Sequence, residues 1–153
     1  MSRRYAPVLW TLLALFCLRV LGQVLVVFFN VRWLPPMKEW YSGLLPYPLL
    51  LPAQILIIAL FAKICTDFSR GRGFFVEPRP FFARYVLGFG YGYLAVMVLR
   101  YPMRMYLHPE ARWFGQAIPI FFHWILATHI ILVGRYHRAR LAAAGTAAAT
   151  RVA

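Results

Sequence analysis

A single arginine lies near the middle of the first long apolar stretch of the chain. Within residues 8–29, Thr11 and Gln23 are the only other clearly polar side chains beside Arg19. A guanidinium stays protonated, so a charge at this depth in a membrane must be solvated by something. The four acidic residues lie outside the apolar stretches: Glu39, Asp67, Glu77 and Glu110. We therefore expect Arg19 to meet a neutral polar group, a main-chain carbonyl, water, a bound ligand or another subunit.

Further polar residues fall at similar depths if the apolar stretches are antiparallel helices. Gln23 follows Arg19 by one helical turn, and Gln54 has a matching depth in the second stretch. His123 and Tyr91 lie near the middle of their stretches. These positions predict a polar seam formed by Arg19, Gln23, Gln54, Tyr91, Gln116 and His123. The seam either consists of hydrogen bonds internal to the bundle or to a partner subunit, or lines a pocket for a carboxylate, phosphate or quinone carbonyl.

The residue types do not favour catalysis. No carboxylate lies inside an apolar stretch to act as an acid or base, and no nucleophile constellation or metal-ligand spacing appears. His108 and Glu110 supply only two candidate ligands in a connection. Cys17 and Cys65 form no C-x-x-C pair and are interpreted as reduced, small apolar residues. We predict neither catalytic nor metal-binding residues.

The two histidines of the last apolar stretch are candidate axial ligands of a haem. His123 and His129 are six residues apart, which rotates a helix by about 240°. They therefore lie on different faces, and bis-histidine ligation would need a second chain. No cofactor is predicted, with haem and quinone kept as alternatives.

The elements that must position these residues follow from composition and length. Hydrophobic residues make up 62% of the 153-residue chain and charged residues 14%, far from the roughly 25% charged residues of soluble domains. About 20 apolar residues span a bilayer as a helix. The sequence predicts an all-α membrane protein with a four-helix transmembrane bundle as one domain over residues 1–141. The predicted helices are 8–29, 47–66, 81–99 and 113–133.

Orientation follows from the basic residues of the connections. Eleven lie at the N-terminus, around the second connection and in the tail, five lie on the opposite side, and Arg19 completes the seventeen. This bias predicts that both termini are cytoplasmic and that the aromatic, proline-rich connection between helices 1 and 2 is outside. The Ala-rich segment 142–153 is predicted to be a flexible cytoplasmic tail.

The third predicted helix, residues 81–99, carries a pattern of small residues. Gly88 and Gly92 are spaced as in close helix–helix contacts in lipid, so we predict that they pack against another helix. Tyr85, Phe89 and Tyr93 recur every four residues on a neighbouring face, which either faces lipid or forms a cavity wall.

The formal net charge of +13 has a membrane explanation. The basic residues are spread over helix ends rather than one soluble surface, which favours anionic lipid headgroups over nucleic acid. Fifteen arginines against two lysines and the Ala-rich tail favour a bacterial inner membrane.

The expected function is that of a non-enzymatic accessory or interaction subunit, as a homo-oligomer or in a larger membrane complex. The alternative is a binder or carrier of a lipid or quinone with an anionic or carbonyl head. An enzyme is the least supported class.

Overall fold

The computed structural model describes residues 1–40, 46–107, 109 and 117–152. The described residues are mostly helical and contain four helices that are long and apolar enough to cross a membrane, as the sequence predicts. A single 3-10 turn, Ser2–Arg4, precedes the first helix, and a π-helical turn, Phe82–Val86, leads into the fourth. The helices are α1 (Ala6–Phe29), α2 (Met37–Trp40), α3 (Tyr47–Arg70), α4 (Leu87–Leu107) and α5 (Ala117–Val152).

The second and third spanning helices end later in the structure than the sequence predicts. α4 continues through Pro102 to Leu107, eight residues beyond the predicted end at residue 99. A proline removes one N–H and kinks a helix, but in a membrane neighbouring groups allow the helix to continue. α3 extends to Arg70 and so includes Asp67, which lies just beyond the predicted helix end at residue 66. The predicted start of the last helix, at Trp113, lies outside the described residues.

α5 is longer than a membrane-spanning helix needs to be. It runs for 36 residues to Val152 and so includes most of segment 142–153, for which a flexible tail was predicted. Alanine has the highest intrinsic helix propensity, which explains why this Ala-rich segment continues the helix. We call the end of the bundle that contains the N-terminus, residues 71–81 and the last described turns of α5 the terminal end.

Three helices form the core. Leu9, Leu13 and Phe16 of α1 pack with Phe61 and Phe68 of α3. From α5, the core receives Leu126, Val133 and Tyr136. The rings of Phe68 and Tyr136 meet edge to face, with their centroids 4.8 Å apart. α5 thus closes the groove between α1 and α3.

α4 packs against α5 through two glycines. A Cβ at Gly90 would lie 2.9 Å from Cγ1 of Ile131, and a Cβ at Gly134 would lie 2.8 Å from the main-chain Cα of Leu87. The absence of side chains therefore allows the two helices to approach closely. A Cβ at Gly88 or Gly92 would meet nothing within 4 Å. Among the described residues the close contact is thus at Gly90, because a two-residue shift turns the helix by about 200°.

The outer surface of α4 is apolar. The span Phe82–Leu107, which includes α4, is the least buried of the four candidate spans: 11% of its apolar stretch lies inside the bundle, against 22–39% in the other three. Large side chains such as Phe89, Val96 and Leu99 are exposed. Such a continuous exposed apolar surface is unusual in a soluble monomer but normal in lipid. Four helices of this length and apolar character fit a multi-pass membrane protein.

Asp67 organises the connection after α3 at the terminal end. Its buried carboxylate forms a salt bridge with Lys63 and accepts a hydrogen bond from the Phe75 main-chain N–H across 3.4 Å. Gly73 lies against the carboxylate with a φ of +121°. The next residues are held by α5, because the Tyr136 hydroxyl donates to the Val76 carbonyl across 3.0 Å.

Candidate functional site

Arg19 is buried inside the bundle and is held by two neutral acceptors. Its Nη1 donates to Oε1 of Gln23 across 3.0 Å, and its Nη2 donates to the main-chain oxygen of Trp40 across 3.1 Å. Gln23 is one turn further along α1, so both side chains share a helix face. Neither salt bridge found among the described residues involves Arg19. The guanidinium charge is thus hydrogen-bonded by these residues but has no counter-ion there.

Gln54 joins α3 to this pair. Its Nε2 donates to Oε1 of Gln23 across 3.1 Å, so two donors converge on one amide oxygen. Each of the three side chains also has a buried polar atom without a hydrogen-bond partner among the described residues. These atoms are Arg19 Nε, Gln23 Nε2 and Gln54 Oε1. A buried polar atom without a partner costs about 1–3 kcal/mol. The site therefore has unused hydrogen-bonding capacity of both kinds, donors and an acceptor.

The short helix α2 covers the hydrogen-bond network on the side that faces away from the terminal end. Trp40 is 8% exposed, and its indole Nε1 donates to the carbonyl of Pro35 across 2.8 Å. The indole lies on Gly22 of α1, where an added Cβ would approach Trp40 Cη2 to 2.5 Å. Only glycine leaves room for this ring. The Trp40 carbonyl is therefore held where Arg19 can reach it.

A cavity of about 210 Å³ adjoins Arg19 between α1, α3, α4 and α5. Four polar side chains reach it, from four different helices: Arg19, Gln54, Tyr93 and His123. The rest of its lining is apolar: Phe16, Leu50, Ala53, Ile57, Pro119, Phe122 and Leu126. We call it the Arg19 cavity. It combines a cationic group with an apolar wall, which is typical of small-molecule sites.

The tyrosine of the cavity is Tyr93 rather than the predicted Tyr91. The Tyr93 hydroxyl is hydrogen-bonded to Nδ1 of His123, whereas Tyr91 is 48% exposed. Depth alone selected Tyr91, but helix rotation decides which side chain faces inward, and two residues correspond to about 200°. Tyr93 lies three residues after Gly90 and so shares the face that packs on α5. Of the aromatic series on α4, Tyr85 and Phe89 are 61% and 63% exposed and face outward.

Of the six predicted seam residues, the structure brings four to one region. Arg19, Gln23 and Gln54 are hydrogen-bonded together, and His123 lines the same cavity as Arg19. Gln116 lies outside the described residues, as do His108 and Glu110. Trp40 was not predicted as a site residue, because only the fold of the connection after α1 brings its carbonyl to Arg19.

His129 does not belong to this site. Its ring is fully buried and stacks on Phe61, with centroids 3.8 Å apart and planes inclined by 12°. His123, in contrast, lines the Arg19 cavity, so the two histidines have separate surroundings. In the described part of the chain, no three His, Cys, Asp or Glu side chains are grouped in a way that could hold a metal ion.

The arrangement is suited to binding. The guanidinium can donate to an anionic or carbonyl oxygen, and Gln54 Oε1 can accept from a hydroxyl. The described lining of the cavity contains no carboxylate or thiol, and its ionisable groups are Arg19, Tyr93 and His123. No family model, curated protein or solved structure matches the chain.

Proposed function

We propose that this chain is a non-enzymatic membrane protein that binds a membrane-soluble molecule with an anionic or carbonyl head in the Arg19 cavity. The observation that carries the proposal is the buried guanidinium of Arg19, which contacts a cavity and pairs only with neutral oxygens among the described residues. A buried charge without a counter-ion is costly, and an anionic head would offset that cost.

The unpaired atoms support the same proposal. Nε of Arg19 and Oε1 of Gln54 are buried and unpartnered among the described residues, and both residues line the cavity. A carboxylate or phosphate accepts two parallel hydrogen bonds from a guanidinium, which gives both energy and orientation. A quinone carbonyl would accept one. We therefore rank carboxylate and phosphate heads above quinones.

The size of the cavity limits what it holds. A volume of about 210 Å³ equals that of roughly seven water molecules, which is below the range of complete drug-sized sites. It suits a polar head and the first carbons of a chain whose remainder lies among lipids. Ile57, Phe122 and Leu126 would contact those carbons.

Native mass spectrometry of gently extracted protein tests this proposal. Wild-type protein should retain a molecule that Arg19→Leu loses, while both remain folded. A second pair of variants tests the apolar wall. Ile57→Trp fills the cavity, whereas Ile55→Trp adds the same ring to a residue of the same helix that is 57% exposed.

We expect retention in wild type and Ile55→Trp and loss in Arg19→Leu and Ile57→Trp. The proposal is contradicted if all four proteins retain the same bound mass. It is also contradicted if none of them holds a bound molecule after an extraction that retains lipids. Identification of the released mass then distinguishes a carboxylate, a phosphate and a quinone.

The second candidate function is that of an accessory subunit of a membrane assembly. The face of α4 that carries Gly88 and Gly92 supports it, since both glycines are exposed and have no neighbouring side chain. A partner helix, from a second copy or another protein, could approach this surface closely. The mass of the extracted complex, in wild type and Gly88→Leu, tests this candidate. A monomer in both contradicts it.

We also propose a bacterial inner membrane, with both termini in the cytoplasm. The support is the excess of basic residues at the terminal end and the high arginine content.

A further inference from the structure

A second cavity, distinct from the Arg19 cavity, lies at the terminal end of the bundle. It has a volume of about 270 Å³ and is lined by Tyr5, Arg135, Arg138, Ala139 and Ala142. Both arginines are exposed and lie three residues apart on one face of α5. The two alanines leave the space open. We call this the basic cavity.

The charges around the basic cavity are not balanced by the described part of the chain. Two of the described acids, Asp67 and Glu77, lie at or beside the connection at this end of the bundle. Both already have partners, because Asp67 pairs with Lys63 and Glu77 pairs with Arg79. No salt bridge is found for Arg135 or Arg138 among the described residues. Two like charges one turn apart on a helix repel each other, so an anion between them would be favourable.

The basic cavity lies at the level expected for lipid headgroups. Tyr5 immediately precedes α1, and its ring contacts Phe68 near the end of α3 and Tyr136 on α5, with centroid distances of 6.4 and 5.7 Å. The apolar spans α1 and α3 therefore reach their ends beside it. Tyrosine and arginine are residue types that favour this interfacial depth.

We propose that the basic cavity binds the phosphodiester of an anionic membrane lipid. Arg135 and Arg138 would donate to the phosphate oxygens, and the acyl chains would lie along the apolar surface beneath Tyr5. Guanidinium groups suit this role because they offer several N–H donors in one plane. The same chemistry would accept free inorganic phosphate, so the two sources must be separated by experiment. This proposal does not depend on the function proposed for the Arg19 cavity.

The experiment compares two double variants with the same loss of charge. Arg135→Gln/Arg138→Gln removes the cations of the basic cavity. Arg70→Gln/Arg84→Gln removes two exposed cations at the same end that do not line it. Full-length proteins are placed in phosphatidylcholine nanodiscs with or without phosphatidylglycerol. Lipids that remain bound are then counted by native mass spectrometry.

We expect wild type and Arg70→Gln/Arg84→Gln to retain phosphatidylglycerol preferentially. Arg135→Gln/Arg138→Gln should lose this preference by about 30-fold, from roughly 1 kcal/mol for each basic residue near the surface. Added inorganic phosphate should not displace the lipid, because it lacks the apolar chains. An equal decrease of the phosphatidylglycerol preference in both double variants, or no preference in wild type, overturns the proposal. Displacement of the lipid by phosphate assigns the site to the free anion instead. Arg19→Leu should leave this preference unchanged.

Discussion

Arg19 Nη2 donates a hydrogen bond across 3.1 Å to the main-chain oxygen of Trp40, 21 positions further along the chain. The bond joins a buried cation on α1 to α2. It links the side chain that would hold a ligand head with the segment that covers it. A ligand that takes this donor would compete with the Trp40 carbonyl, so the stability of the cover and the occupancy of the Arg19 cavity should be coupled.

The packing of the Trp40 indole on Gly22 of α1 gives the first prediction. In Gly22→Leu the new side chain would occupy the space of the indole, where even a Cβ would lie 2.5 Å from the ring. We expect a loss of about 1–3 kcal/mol in the free energy of unfolding and faster hydrogen exchange in residues 33–40. Gly88→Leu is the matched control, because its Cβ would meet nothing within 4 Å. Unchanged exchange in Gly22→Leu would show that Trp40 is not held there.

The contact between α4 and α5 gives the second prediction. Gly90→Leu and Gly134→Leu should lower the melting temperature, because each added side chain would enter space occupied by α5 or α4. Gly88→Leu and Gly92→Leu should leave a monomeric bundle unaffected, since both positions are open. If all four variants melt alike in mild detergent, glycine does not control this interface.

The third prediction concerns the shape of the cation at position 19. Arg19→Lys keeps a charge but loses the planar fork that reaches both the Gln23 oxygen and the Trp40 carbonyl. We expect retention of the bound molecule to fall by about tenfold or more, because a hydrogen bond to a charged group contributes about 1.5–3 kcal/mol. Titration of the identified molecule into lipid-stripped protein measures it. Equal affinity in the two proteins would mean that charge alone is recognised.

The connection after α3 gives the fourth prediction. Gly73→Ala should destabilise the terminal end by about 1–3 kcal/mol, because the backbone has a φ of +121° and the new Cβ would lie 2.5 Å from Asp67 Cγ. Gly145→Ala is the control, since its Cβ would meet nothing within 4 Å in an exposed helix. It should be neutral or stabilise the helix by up to about 1 kcal/mol. Thermal unfolding of both variants checks the difference.

Membrane orientation gives the fifth prediction. In a background without Cys17 and Cys65, Trp33→Cys should react with an impermeant thiol reagent in intact cells and Thr146→Cys should be protected. Both positions are exposed, so accessibility to the reagent depends on the side of the membrane. The basic-residue bias requires this result. Labelling at position 146 with protection at position 33 would invert the topology.

The spacing of side chains along the sequence was sufficient to predict which residues share a depth in the membrane. Arg19, Gln23 and Gln54 were grouped from helix rise alone, and the structure places them in one hydrogen-bonded network. Depth does not determine rotation. Tyr91 and Tyr93 differ by only about 3 Å along the helix axis but point in nearly opposite directions, and packing against α5 decides which one faces the cavity.

The number and apolar character of the four spanning helices were determined by the sequence itself, because a bilayer requires a continuous apolar helix. The surroundings of each side chain were decided by tertiary structure. Gly88, Gly90 and Gly92 look equivalent in the sequence, yet only Gly90 contacts α5. Trp40 reaches Arg19 only because the chain after α1 folds back onto Gly22. Such contacts depend on helix rotation and on the path of a connection, neither of which a periodic pattern of apolar residues specifies.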